Sequence, residues 1–342
     1  MLTERPAPPH RPWHRQAQAW QRPGTDNRAM HLVLPFAGAS SPAAAQAAAT
    51  LSLPTLERLL ARLSPQPADV ADEFTLSPPH ERAQAMALGW PATDGLLPLA
   101  ARAAQADGLA VADTPAGHGW GLLSPTHWHL GTEQVSLTDP AQLQLDEAGS
   151  RTLFEAVRTL FDSDGWSLQW GAATRWYALH PSLATLPTAS LDRVVGRNVD
   201  LWLNSHPDAR RVRRLQAEVQ MLLHSHPHNA QREEAGLLPV NSFWLSGTGA
   251  PLAGQLPAGW QCDDRLRNPA LAEDWAAWAE AWAALDAGPL AALLAAAQRG
   301  EPVALTLCGE RSAQAYTLQP RPLLRRWFGA RRVAASAVLE AL

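Results

Sequence analysis

The sequence predicts an α/β protein, a core sheet flanked by helices. Three observations carry that expectation. Two short apolar runs, residues 31–36 (HLVLPF) and 303–308 (VALTLC), each stop at small or turn-forming residues, as buried strands do. Segments of helical period lie between them, among them 53–60 and the tryptophan-striped 269–287. Residues 119–179 alternate strand, helix and strand, the unit from which mixed α/β folds are assembled. With 342 residues the chain can build one large α/β domain or two smaller ones.

Taken in order, residues 1–29 lack periodicity and hold Pro6, Pro8, Pro9 and Pro12, so a loose arm is expected, pinned by Trp13 and Trp20. The first strand, 31–36, runs into a turn at 37–41, and Pro54 opens a helix over 53–60. A second helix follows Pro78-Pro79 and stops at Leu88-Gly89-Trp90, and an Ala-rich helix is expected within 92–115. Residues 119–131 read as one strand that 135–140 extends in the same sheet. Asp146 caps a helix to Phe161, and Asp164-Gly165 turns into paired strands 166–170 and 175–179. An amphipathic helix over 213–223 breaks at Pro227, restarts from Asn229 to Glu234 and stops at Gly236. A buried strand over 237–244 then feeds a glycine turn at 247–249. The 269–287 helix places Trp275, Trp278 and Trp282 on one stripe, a core or docking face. Helix 289–299 and strands 303–308 and 313–318 complete the set, before a basic–aromatic patch at 323–332. The expected units are the arm 1–29, a first core half 30–115, the inserted unit 116–250 and a second core half 251–342.

Composition narrows the chemistry. All 28 basic side chains are arginine, so neither a lysine Schiff base nor a lysine-bearing phosphate loop can form. A net charge of −4 argues against a nucleic-acid partner. Cys262 and Cys308 are far apart in sequence, which excludes a disulfide framework and a zinc ribbon. The Pro- and Arg-rich start does not read as a signal peptide, and no apolar run is long enough to span a bilayer; a cytoplasmic protein without a membrane partner is expected.

Polar groups crowd the helix break at Pro227: His226, His228, Asn229, Arg232 and, beyond the turn, Asn241. His226 and Asn229 suit capping and joining the two helical pieces; Arg232 and Asn241 either do the same or reach a ligand. The run His226-Pro227-x-Asn229-x-x-Arg232, then Gly236-Leu237-Leu238-Pro239-Val240-Asn241, with Trp244, Gly247 and Gly249, is similar to a motif of the archaeal-type cofactor-independent phosphoglycerate mutases. Those belong to the alkaline phosphatase superfamily. The block also resembles a group of bacterial proteins labelled phosphoglycerate mutase or RpfE-type regulatory protein. The resemblance implies an alkaline-phosphatase-like core sheet with an inserted α+β domain.

It also implies a two-metal phosphotransfer site, and here the sequence departs from the family. Where the family's first strand ends in a metal-binding Asp, this chain has Pro35-Phe36; where the family has its nucleophile motif, Ser77 precedes two prolines and reads as an ordinary turn serine in preference to a nucleophile. The later strand ends in Cys308-Gly309-Glu310-Arg311 in place of the family's Asp-His, and no histidine follows His228. The expectation is therefore a catalytically degenerate, regulatory or metabolite-binding relative with no catalytic residue and no cofactor. Arg193 and Arg197, beside Asn198, would face one way on a helix and suit a phosphorylated or carboxylated metabolite, or form a solvated face. A protein partner is the other candidate. The alternatives are an active mutase or phosphatase with Mn or Mg held by relocated ligands such as His80, Glu81, His127 and His129, and an interaction protein without a ligand. With no carboxylate at matching spacing, His127 and His129 read as lining a moist groove in preference to a metal pair.

Overall fold

The computed structural model describes residues 29–38, 40–132, 134–203, 205–318 and 333–342. Most of the expected arm and the whole 323–332 patch lie outside the described residues. The strands are β1 (Met30–Leu34), β2 (Ser64–Pro65), β3 (Asp69–Val70), β4 (Gly119–Thr126), β5 (Trp128–Leu130), β6 (Val135–Leu137), β7 (Ser167–Ala172), β8 (Arg175–His180), β9 (Ser242–Gly249), β10 (Trp260–Cys262), β11 (Val303–Cys308) and β12 (Ser312–Thr317).

The apolar runs at 30–34 and 303–308 need cover on both faces, and they receive it at the centre of a six-stranded sheet. Its order is β10-β1-β11-β12-β2, with β3 also on β12; β1 runs parallel to β10 and β11, and β12 returns antiparallel. Helices Pro42–Thr50, Pro54–Leu60, Trp275–Ala287, Pro289–Arg299 and Ala335–Glu340 cover one face. The tryptophan stripe is core there: Trp278 and Trp282 are fully buried and meet edge to face, 6.0 Å between ring centres. Helix Pro54–Leu60 has no cap of its own; buried Asp286 accepts its Thr55 and Leu56 N–H groups at 3.1 and 2.8 Å. The opposite face carries Val33, Cys308 and Ala313, against which helix Pro79–Ala87 lies.

A second, antiparallel sheet has the order β7-β8-β4-β9. Helices Glu147–Ser163 and Ala209–His224 bury Leu153, Phe161, Leu215 and Val219 on one side of it. Helix Leu99–Ala106 covers Trp120 and Tyr177 on the other. A further cluster, Leu137, Val194, Trp202 and Trp244 with Leu76 and Leu271, lies where segments of both sheets' surroundings meet. No described helix is long and apolar enough to cross a membrane.

Several elements differ from expectation for local reasons. The strand expected at 237–244 begins only at Ser242: Pro239 has no N–H, and Asn241 spends its side chain on the Trp128 backbone. The glycine turn at 247–249 is the end of that strand. Gly247 sits at φ +64 under helix Leu99–Ala106, where a Cβ would come within 2.9 Å of the Ala100 nitrogen. Residues 119–131 are two strands split at His127, and 135–137 pairs with β5 in a separate ribbon and makes single bridges to Val195 and Asn198, instead of extending the sheet. The 269–287 helix divides at Glu273, at φ +53, into Arg267–Leu271 and Trp275–Ala287, and Asp274 caps the second piece. The Ala-rich helix occupies only Leu99–Ala106, since Gly95 at φ +70 and Pro98 precede it. The helix under Arg193 ends at Val194, and Gly196 at φ +73 breaks the face it would share with Arg197.

Candidate functional site at the end of the parallel strands

In open α/β sheets ligands bind beyond the carboxyl ends of parallel strands. Here β1 and β11 lead into Phe36 and Glu310, and a cleft of about 290 Å³ opens beside them, lined also by His80, Asp192, Arg193 and Arg197. A larger groove, about 520 Å³, lies between Trp90 and Leu252, and Arg102 is the only charged side chain on its wall. Convergent polar groups single out the first cavity.

Phe36 is the turn residue of this cleft. It holds φ +56, a region that costs a non-glycine residue about 1 kcal/mol or more. Trp278 Nε1 fixes it by donating to its carbonyl at 2.9 Å, and its ring leans on the His80 ring with centres 5.6 Å apart. His80 Nε2 is 3.1 Å from Asp192 Oδ2, and Arg267 pairs with both Asp192 and Asp139 at 2.7 Å. Burial pushes the Asp192 carboxyl up, but His80 and Arg267 outweigh it and hold the carboxyl down at about 2. Next to His80, Glu81 accepts from Ser190 Oγ at 2.6 Å; burial pushes Glu81 up to about 7, against the pull of His80 and Ser190.

Arg193 is buried, and its three hydrogen bonds go to backbone carbonyls: Thr75 at 2.8 Å, Glu310 at 2.9 Å and Glu73 at 2.5 Å. Its guanidinium stands 4.9 Å from the centre of the Trp202 ring. Burial lowers its pKa to about 10, so the charge persists at neutral pH. Arg197 NH2 meets Glu310 Oε1 at 2.5 Å, and the other Glu310 oxygen lies 3.4 Å from the Ser40 backbone nitrogen. Both arginines thus reach Glu310, one at its backbone carbonyl and one at its carboxylate, although no helix aligns them. Asn198 stays local, accepting from the Asp200 N–H at 3.0 Å.

The polar block near Pro227 is built differently. His226 caps helix Pro227–Glu234 by accepting from the His228 N–H at 3.2 Å. Asn229 donates to the Leu223 and Val240 carbonyls at 2.9 and 2.7 Å and accepts from the Val240 N–H at 3.0 Å. Arg232 donates to Leu238 O at 3.0 Å and to Leu143 O. Asn241 takes the Trp128 N–H at 2.7 Å and donates to the Trp128 carbonyl at 2.9 Å, replacing a strand partner at the break. All four side chains therefore bond the backbone around the second sheet.

His127 and His129 have ring centres 6.5 Å apart, and His127 Nδ1 is 2.9 Å from the Pro239 carbonyl oxygen, whereas His80 lies in the cleft. Among the described residues, no three His, Cys, Asp or Glu side chains converge as a metal site would require. Ser77 is buried and its Oγ accepts from the Gly95 N–H at 2.9 Å, the role of a turn serine. Sequence reasoning passed over Glu310 and Asp192 as site residues, while Glu81 was expected only as a relocated metal ligand. Glu310 had a usable signal: a charged residue directly after a buried strand of the parallel kind is placed where such sheets gather ligands.

The chain matches no protein-family model and no curated protein. Among solved structures it is similar to the cofactor-independent phosphoglycerate mutase from Thermoplasma acidophilum, at 13% identity and a TM-score of 0.36, covering 92% of this chain and 98% of that one. It is also similar to the PH0037 protein from Pyrococcus horikoshii, at 11% identity and a TM-score of 0.44, covering 85% and 87%. At such identity neither likeness assigns an activity.

Proposed function

We propose that this chain is a catalytically degenerate relative of the cofactor-independent phosphoglycerate mutases that binds a phosphorylated or carboxylated metabolite in the cleft beyond β1 and β11, and that its role is regulatory. The observation that carries the reading is the placing of Arg197 and His80 on one cavity at the sheet end, where Arg193 holds the surrounding turns through three backbone carbonyls and apolar Phe36 and Cys308 stand at the strand ends. Guanidinium groups suit carboxylate and phosphate oxygens, and a cavity of about 290 Å³ is at the lower end of the range for small-molecule sites. The His226–Asn241 motif supports kinship, while its backbone hydrogen bonds account for its presence without a ligand.

Two measurements on purified full-length protein test this. Isothermal titration with 3-phosphoglycerate should register binding at near-stoichiometric occupancy. An assay for interconversion of 3- and 2-phosphoglycerate, run with Mn²⁺ and with Mg²⁺, should show no turnover. Turnover would replace this reading with that of an active mutase.

A further inference from the structure

Glu310 occupies an unusual place in the cleft. It sits in the turn between β11 and β12, and three separate groups hold it. Arg193 takes its carbonyl at 2.9 Å, Arg197 takes one carboxylate oxygen at 2.5 Å, and the Ser40 N–H, one residue before the Ser41 cap of helix Pro42–Thr50, points at the other from 3.4 Å. A guanidinium N–H and a backbone N–H, each on one oxygen of the same anion, is how proteins hold a ligand's carboxylate or phosphate. Burial pushes the Glu310 carboxyl up, yet the Ser40 N–H and Arg197 outweigh it and the net shift is downward, so the group is ionised at neutral pH.

From this geometry we infer that the Glu310 carboxylate is a built-in competitor: it fills the anion subsite between Arg197 and the Ser40 N–H, and a ligand must displace it to bind. The inference rests on the anion-binding reading above and adds the group that sets its affinity. Displacement is mechanically simple. The Glu310 side chain is about a quarter exposed and Arg197 more than a third, so the carboxylate can swing to water while Arg193 keeps the turn in place through the backbone. Of the other carboxylates on the cleft wall, Asp192 and Glu273, the first is taken by His80 and Arg267. A conformational competitor of this kind lowers apparent affinity by the fraction of time that it is in place.

The test is isothermal titration of inorganic phosphate, and separately of 3-phosphoglycerate, into the full-length wild type, Glu310→Gln, Glu310→Ala and Arg197→Gln at low ionic strength, with circular dichroism confirming each fold. Both Glu310 variants should bind at least tenfold more tightly than wild type, and Arg197→Gln should lose binding. If wild type binds and the Glu310 variants bind equally or more weakly, the competitor is refuted while the anion-binding reading stands. If no variant and no wild type binds either anion, both fail together.

Discussion

The cleft at the end of the parallel strands and the polar block at the Pro227 break are made of the same residue types, arginine, histidine and an amide or carboxylate. They differ in what those side chains satisfy. Around Pro227, Asn229, Arg232 and Asn241 bond main-chain groups of irregular segments that no ladder can pair. In the cleft, His80, Asp192, Arg197 and Glu310 bond one another, are partly exposed and can exchange partners. A polar cluster whose bonds end on the backbone is architecture; one whose bonds end on other charged side chains beside a cavity can take a ligand.

Substitutions can sharpen or break that contrast. The largest effect is expected at Asn229→Ala, which strands the Val240 N–H and leaves the Leu223 and Val240 carbonyls without this partner in a buried setting. It should lower stability by about 3–4 kcal/mol, seen as a lower urea midpoint at unchanged slope, with phosphate binding intact where the protein is folded. A change in phosphate affinity without a change in stability would reverse the assignment of that block. Arg193→Met removes a buried charge bonded to three carbonyls and should cost about 2–3 kcal/mol in the same assay.

Glu81 gives a pH signature. Its carboxyl is raised from 4.5 to about 7 in the folded protein, chiefly by burial, with His80, Ser190, Asp192 and Arg82 as its neighbours. Its extra proton affinity therefore stabilises the fold fully below about 4.5, and that contribution is lost as the pH rises through about 7. Across this interval, wild type should lose about 3 kcal/mol relative to Glu81→Gln in urea unfolding. Parallel pH profiles for the two proteins would refute the shift. The smallest stability effect, about 0.5 kcal/mol, is expected for Arg197→Gln, because the pair with Glu310 is exposed to solvent.

Much of the fold was legible because its causes are local. Apolar runs at 31–36 and 303–308 named the buried strands, and the Trp275, Trp278 and Trp282 spacing named a core stripe. What escaped the sequence depends on long-range partners. Asn241 bonds the backbone 113 residues away at Trp128, which delays β9 and splits the strand at His127. Arg193 and Arg197 were visible as a pair, but the helix meant to align them stops at Val194, and what joins them is Glu310, 113 positions from Arg197. No spacing rule connects a turn after β11 to a turn after residue 194.

The most direct measurement of the central claim is calorimetric titration of 3-phosphoglycerate into wild type and Arg197→Gln, both confirmed folded. Saturable binding to the wild type that disappears in the variant is the predicted result. No heat with either protein, or identical isotherms for the two, would contradict a ligand site at this sheet end.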